Sequence, residues 1–149
     1  MPAAPECVFC QIVRQEKEAY VVLDDEHCVA FLDYRPLFPG HCLVIPRAHH
    51  ETLAELPAAS IEPLFKDARV LSAAVEQAMA ADGSFVAINN RVSQSVPHLH
   101  VHVVPRRKGD GLRGFFWPRK PYEGPEVTAE VQRRVREAVA ALRGREERA

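Results

Sequence analysis

Apolar and polar positions change their period several times along the chain, and each change marks an element. Tyr20-Val21-Val22-Leu23 and Cys28-Val29-Ala30-Phe31-Leu32 flank the polar Asp24-Asp25-Glu26-His27, a pattern that predicts a β-hairpin. Residues 34–40 hold Pro36, Pro39 and Gly40 and read as a loop. His41-Cys42-Leu43-Val44-Ile45 is mostly apolar on both faces, as a central strand would be, and Pro46 ends it. From 61 to 79 the period changes. Ile61, Leu64, Phe65, Ala68, Leu71, Val75 and Met79 recur at three- and four-residue steps, which predicts a helix with Ser60 as N-cap and Pro63 in its first turn. Asp82-Gly83-Ser84 stops that helix, Phe85-Val86-Ala87-Ile88 reads as a buried strand, and 89–97 is a polar loop. Residues 98–104 form another strand, closed by Pro105. A second main helix falls within 126–142, with Thr128 as cap and Val131, Val135, Val139 and Leu142 in one stripe; the charged residues 143–149 read as a frayed end. Five strands, the early ones joined by short turns, with two main helices predict an α+β fold with a mainly antiparallel sheet.

At 149 residues, the length of a typical single domain, the chain is read as one domain over 1–149. Its 47% hydrophobic and 26% charged residues exclude a chain disordered throughout, and it is large enough to bury a core without staples. Nineteen Lys and Arg against twenty Asp and Glu show no global basic excess, so no nucleic-acid partner is expected. No apolar run approaches the roughly 20 residues of a membrane span, and residues 1–6 lack the pattern of a signal peptide. A cytoplasmic protein without a membrane partner is expected. In a reducing compartment the Cys7-x-x-Cys10 pair points to a metal or redox site more than to a bridge, while Cys28 and Cys42, within strands, read as small buried hydrophobes.

The segment that carries chemistry is His98-Leu99-His100-Val101-His102-Val103-Val104-Pro105. Strand alternation sends Leu99, Val101 and Val103 into the core and the three histidines to the opposite face, with Cα atoms about 6.6 Å apart from one to the next. Three imidazoles in register are poor packing material, because they are polar and titrate near neutrality. They suit metal binding, or nucleophilic catalysis on phosphorus in which the middle ring attacks while its neighbours orient it and assist the leaving group. Spacing alone leaves both open.

This segment resembles the signature of the histidine triad (HIT) nucleotide hydrolases and transferases. Val8-Phe9-Cys10-Gln11-Ile12, Phe31-Leu32-Asp33, Pro39-Gly40-His41-Cys42-Leu43-Val44-Ile45-Pro46 and Gln94-Ser95-Val96-Pro97-His98 fall in the family's order and extend the resemblance over about 6–107. It implies a HIT-like fold that pairs as a homodimer. His100 corresponds to the nucleophile that attacks an α-phosphorus, its other ring nitrogen held by a backbone carbonyl. His102 and Gln94 correspond to groups near the α-phosphate and leaving oxygen, Ser95 to a donor there, and His98 and His41 to supporting members of the histidine network. Asp33 matches the position that grips the ribose hydroxyls, a task that suits a carboxylate accepting two hydrogen bonds. Phe9, Ile12, Phe31 and Leu32 resemble the wall of a purine pocket. The implied partner is a purine nucleotide or dinucleoside polyphosphate, and the chemistry requires no cofactor.

Many relatives that resemble this chain bind structural zinc. On that pattern the ligands are Cys7, Cys10, His49 and His98, with His50 placed to exchange roles with His49; a redox pair and unliganded thiols are the competing readings. The loop 89–94 is shorter than in the family, and Asn89 fills a position that contacts ribose or phosphate there. Residues 106–120 carry six cations against Asp110 alone, with Phe115, Phe116 and Trp117 among them. Such a segment suits a polyphosphate leaving group or packing on a dimer partner. Two further functions fit the same residues: a purine-nucleotide sensor or partner-regulating dimer with little turnover, and an enzyme that uses the triad as zinc ligands.

Overall fold

The computed structural model describes residues 6–113 and 119–148, so Phe115, Phe116 and Trp117 lie outside the described residues. The chain divides into two compact units, 1–110 and 111–149.

The first unit contains α1 (Val8–Val13), β1 (Val21–Asp24), β2 (Cys28–Leu32), β3 (Cys42–Pro46), α2 (Ala58–Ala78), β4 (Gly83–Ala87) and β5 (Val101–Arg106). The strands form one antiparallel sheet in the order β1-β2-β3-β5-β4. Both faces are covered, which explains the unbroken apolar run of β3, buried at every position. On one face Ala30, Val44, Leu99, Val101 and Val103 pack with Leu64, Ala68, Leu71 and Val75 of α2. On the other, Val29, Phe31, Leu43 and Ile45 pack with Cys7, Phe9 and Cys10 around α1. The predicted alternation therefore holds, and the triad shares its face with this second cluster.

Several boundaries differ from the sequence expectation. Helix α2 starts at Ala58, a turn earlier, because Pro57 already has the backbone angle that enters a helix. Ser60 is thus inside the helix, its amide bonded to the Pro57 carbonyl. Pro63 sits in the second turn, and Ile61 and Phe65 face solvent while Leu64, Ala68, Leu71 and Val75 are buried. Strand β4 is an edge strand, half covered, with Val86 exposed; its apolar sequence resembles that of an inner strand, but the strand order leaves it at the rim. Residues 98–100 lie ahead of the ladder, which begins at Val101. Pro105 continues β5 instead of closing it. The Arg106 carbonyl accepts from Asp82 on the β4 side, so Pro105 turns its missing N–H the other way, beyond the stretch that β3 pairs. Gly40, before β3, has φ +96°, and a Cβ there would lie 2.6 Å from Met79 Cγ, so no other residue fits without displacement.

The second unit contains α3 (Pro125–Arg148). It begins at Pro125, a favoured first position, so Thr128 lies within the first turn, its hydroxyl bonded to the Gly124 carbonyl. It runs through the segment expected to fray. Arg145 and Arg148 complement the dipole at its C-terminal end, and Arg133 joins Glu130 and Glu137 midway. The stripe stays largely uncovered: Val127, Val135, Val139 and Leu142 are exposed. Among the described residues no helix is long and apolar enough to cross a membrane.

Asp67 of α2, Asp25 and the buried Cys28 thiol cluster between helix and hairpin, with side-chain polar atoms within 4.8 Å of one another. Burial, then the Asp25 hydrogen bond and charge, push the Asp67 carboxyl up to about 6 from 3.8, while its bond to Asp67 holds Asp25 low. A raised carboxyl stabilises the fold below its unfolded value and loses that contribution as pH rises through the folded one. The denaturant midpoint should therefore contain a component that falls between about pH 4 and 7, and Asp67→Asn should remove that component. Equal slopes in parent and variant would refute the assignment.

Candidate active site and metal centre

Residues 98–100 and the first residues of β5 carry the triad across the face covered by α1. Each ring is fixed by a different partner. His98 is fully buried, not merely turned from the core, because α1 lies over it; Phe9 packs edge-on against both His98 and His100, with centroids 5.9 and 5.2 Å away. His98 Nε2 lies 2.8 Å from the Pro46 carbonyl oxygen and His100 Nδ1 lies 2.8 Å from the His98 carbonyl oxygen. A carbonyl only accepts, so both nitrogens carry protons. His98 Nδ1 and His100 Nε2 are left with bare lone pairs.

His41 fixes the third ring. The Leu37 amide donates to His41 Nδ1 at 3.0 Å, so a neutral His41 carries its proton on Nε2. That nitrogen lies 3.0 Å from His102 Nδ1, which must accept, and the His102 proton is thereby assigned to Nε2. His102 Nε2 is buried without a hydrogen-bond partner among the described residues. Burial lowers the pKa of His41 and His100, and burial with the neighbouring His100 and His41 takes His102 down to about 4. The rings are neutral at pH 7, so the bare Nε2 of His100 stands near a ring whose Nε2–H lacks an acceptor; the two centroids are 4.9 Å apart.

Asp33 ends this network. One carboxylate oxygen accepts from the Arg35 amide at 2.9 Å, and the other lies 3.6 Å from His41 Nε2. The residue is thus both a turn-former and a neighbour of the histidines. Phe9 and Phe31 are packed inside, ring to ring at 5.3 Å, and Leu32 is partly exposed where β2 ends. Ile12 borders a cavity of about 300 Å³ lined also by Gln15, Lys17, Glu18, Ala19 and Val21. The loop residues differ from the expected arrangement. Gln94 gives its amide N–H to the Glu51 carbonyl and takes the Arg91 amide on its oxygen, both at 2.7 Å. Asn89 bonds to the Ser93 carbonyl at 3.3 Å, and Ser95 is exposed. These side chains brace the loop itself.

The metal-ligating expectation falls on four residues that the fold does bring together: Cys7, Cys10, His49 and His98. Cys7 caps α1, its Sγ accepting the Cys10 amide, so the two sulfurs flank one helix start. His98 Nδ1 lies 3.5 and 3.6 Å from the two sulfurs and 3.2 Å from His49 Nδ1, which is 3.3 Å from Cys10 Sγ. A tetrahedral ion with bonds of about 2.0–2.3 Å would space its ligands about 3.3–3.8 Å apart. The Pro46 carbonyl independently turns the His98 lone pair into this cluster, as an outer partner does in metal sites. The donor set therefore fits zinc. None of the four cysteines is in a disulfide, and His50 stands outside the cluster, its carbonyl accepting the Leu99 amide.

Sequence reasoning missed the partners that set the tautomers, the Leu37 amide and the Pro46 carbonyl, since backbone groups leave no mark in residue type. It also missed the loop braces Glu51, Glu55, Asn90 and Arg91.

The comparisons agree with this geometry. The HIT domain matches residues 14–109. An uncharacterized HIT-like protein of Methanocaldococcus jannaschii is 38% identical over 128 residues, 85% of this chain and 98% of that one. The adenylylsulfatase of Arabidopsis thaliana is 34% identical over 109 residues, 72% of this chain and 55% of its own length. A zinc-bound histidine triad family protein of Mycobacterium smegmatis superposes with a TM-score of 0.69 at 35% identity, covering 93% of this chain and 96% of that one. The antiparallel sheet, the ordered imidazoles and these likenesses place the chain in the histidine triad (HIT) family.

Proposed function

We propose that this protein is a nucleotide hydrolase or nucleotidyl transferase that cleaves a phosphoanhydride or phosphoramidate at the α-phosphorus of a purine nucleotide. The observation that carries the reading is the tautomer of His100: its Nδ1–H is given to the His98 carbonyl, so the lone pair on Nε2 is available. That nitrogen bonds to phosphorus as the bond to the leaving atom breaks, oxygen in a phosphoanhydride and nitrogen in a phosphoramidate, and the departing electron pair collects on that atom. The Nε2–H of His102, buried and without a partner among the described residues, donates a hydrogen bond to it. Water then attacks the same phosphorus, the N–P bond breaks, and its electrons return to His100 while the water proton is released. With another nucleophile in place of water, the same intermediate gives a transferase. Asp33 is the residue for the ribose hydroxyls, and the cavity beside Ile12 is a candidate seat for the base. The adenylylsulfatase relative acts on a substrate of this class.

Zinc held by Cys7, Cys10, His49 and His98 would supply a structural cross-link, and the chemistry above runs on imidazoles. A homodimer is part of the same reading, with the uncovered stripe of α3 as one surface for the second copy.

The test is to quench the enzyme with labelled dinucleotide and map the covalent nucleotide. Label on His100 is expected; turnover with no labelled histidine at any quench time counts against the mechanism. The pH profile adds a second check. Burial lowers the pKa of His100 from 6.5, and the neutral ring is the nucleophile, so the acid limb of kcat/KM should lie below pH 6.5. A limb above that value would contradict the assignment.

A further inference from the structure

Besides its internal bonds, from Asn89 to the Ser93 carbonyl and from the Arg91 amide to Gln94, the loop 89–95 is tied to one stretch, 51–55, close to the metal-ligand candidate His49. Gln94 donates to the Glu51 carbonyl. The Leu53 amide donates to Asn90 Oδ1 at 2.8 Å, and Arg91 pairs with Glu55 at 3.2 Å. Beneath the loop the Leu99 amide donates to the His50 carbonyl at 2.7 Å, joining the residues that follow His49 and His98. Arg91 and Ser93 hold φ of 68° and 60°, a conformation non-glycine residues adopt only where their surroundings impose it. The loop is thus held both by its own bonds and by its ties to 51–55. The stretch it is tied to follows directly on His49 of the metal cluster, and the carbonyl that orients His100 belongs to a second residue of that cluster, His98.

We propose that stretch 49–55 couples the metal centre to the catalytic loop, with Gln94 as the positioning residue at the joint. The proposal rests on the zinc reading above. When His49 and His98 are drawn to one ion, the His50 and Glu51 carbonyls are held where the Leu99 amide and the Gln94 side chain meet them. Loss of the ion frees 49–55, and the loop relaxes with it. Coupling of this kind is reciprocal, so a weakened joint must also weaken zinc by the same factor.

The test is amide hydrogen exchange on the full chain, zinc-loaded and zinc-stripped, with zinc content and affinity measured alongside. Loading is expected to slow exchange of the Leu99, Leu53 and Arg91 amides about tenfold or more. Gln94→Ala removes both bonds. Gln94→Glu keeps an acceptor for the Arg91 amide but loses the donor to Glu51. Both variants should show a smaller zinc-dependent gain at Leu53 and bind zinc several-fold more weakly by linkage, roughly equally if the Glu51 bond is the joint. Zinc bound at one per chain with no change at the three amides overturns the coupling and leaves the metal reading standing. Failure of zinc to bind overturns both.

Discussion

His100→Ala is expected to lower turnover by about 10³-fold or more while nucleotide affinity stays within a few-fold of the parent. The magnitude follows from what the ring contributes. Without it, water must attack the α-phosphorus directly, and the advantage of a nucleophile already within bonding distance is lost. Binding should survive because Asp33 and the surroundings of Ile12 are untouched. The fold should survive too. The substitution leaves the His98 carbonyl without its donor and opens space against Phe9, costs of about 1–3 kcal/mol each, while the α2 face of the sheet keeps its packing. Three measurements check it: single-turnover rate, nucleotide Kd and thermal midpoint. Turnover within about tenfold of the parent in a folded, nucleotide-binding variant would remove His100 as nucleophile. His102→Ala should fall between the two. It removes the donor to the leaving oxygen and not the bond-forming atom, so its deficit should shrink as the leaving group becomes a weaker base.

The histidine cluster was more legible in the sequence than the framework that holds it. Alternation alone put Leu99, Val101 and Val103 on one face and the triad on the other, and the structure keeps that division through 98–100, which precede the strand. Alternation could not show that His98 is sealed from water, because the residues covering it come from α1, six residues long and too short to display a helical period. Local pattern failed where tertiary position decides. The apolar Phe85-Val86-Ala87 reads as an inner strand until the strand order puts it at the rim. Ile61 and Phe65 fit the helical stripe by spacing, yet the sheet reaches only Leu64, Ala68, Leu71 and Val75. Gln94 shows what residue type leaves out: its bonds to the Glu51 carbonyl and the Arg91 amide depend on backbone groups that the sequence does not mark.

Chelation should lower the thermal midpoint by on the order of 10 °C or more, and Cys10→Ala should reproduce that loss and make the protein indifferent to chelator. The reason is local. Cys10 is 1% exposed and His98 0%. Without an ion, the bare His98 Nδ1, His49 Nδ1 and two sulfurs crowd together at 3.2–3.6 Å, with at most one imidazole N–H and weak S–H donors to share among four acceptors. An ion replaces that poorly matched contact with four ligand bonds tying the start of α1, His49 and His98 together. The size of the loss is bounded from the other side. The cluster around α2 shares only the sheet with this site, so the stripped chain should unfold cooperatively at a lower temperature, unlike a small zinc domain that has no fold without metal. Treating the variant with chelator separates this from ordinary damage. If Cys10 acts through the ion, the two perturbations are not additive, and chelator adds nothing to Cys10→Ala. Cys28→Ala, a buried thiol outside the cluster, should keep one zinc per chain and respond to chelator as the parent does. A parent whose midpoint ignores chelation, or a Cys10→Ala protein that still loses stability on chelation, would show that these four side chains are not the metal centre.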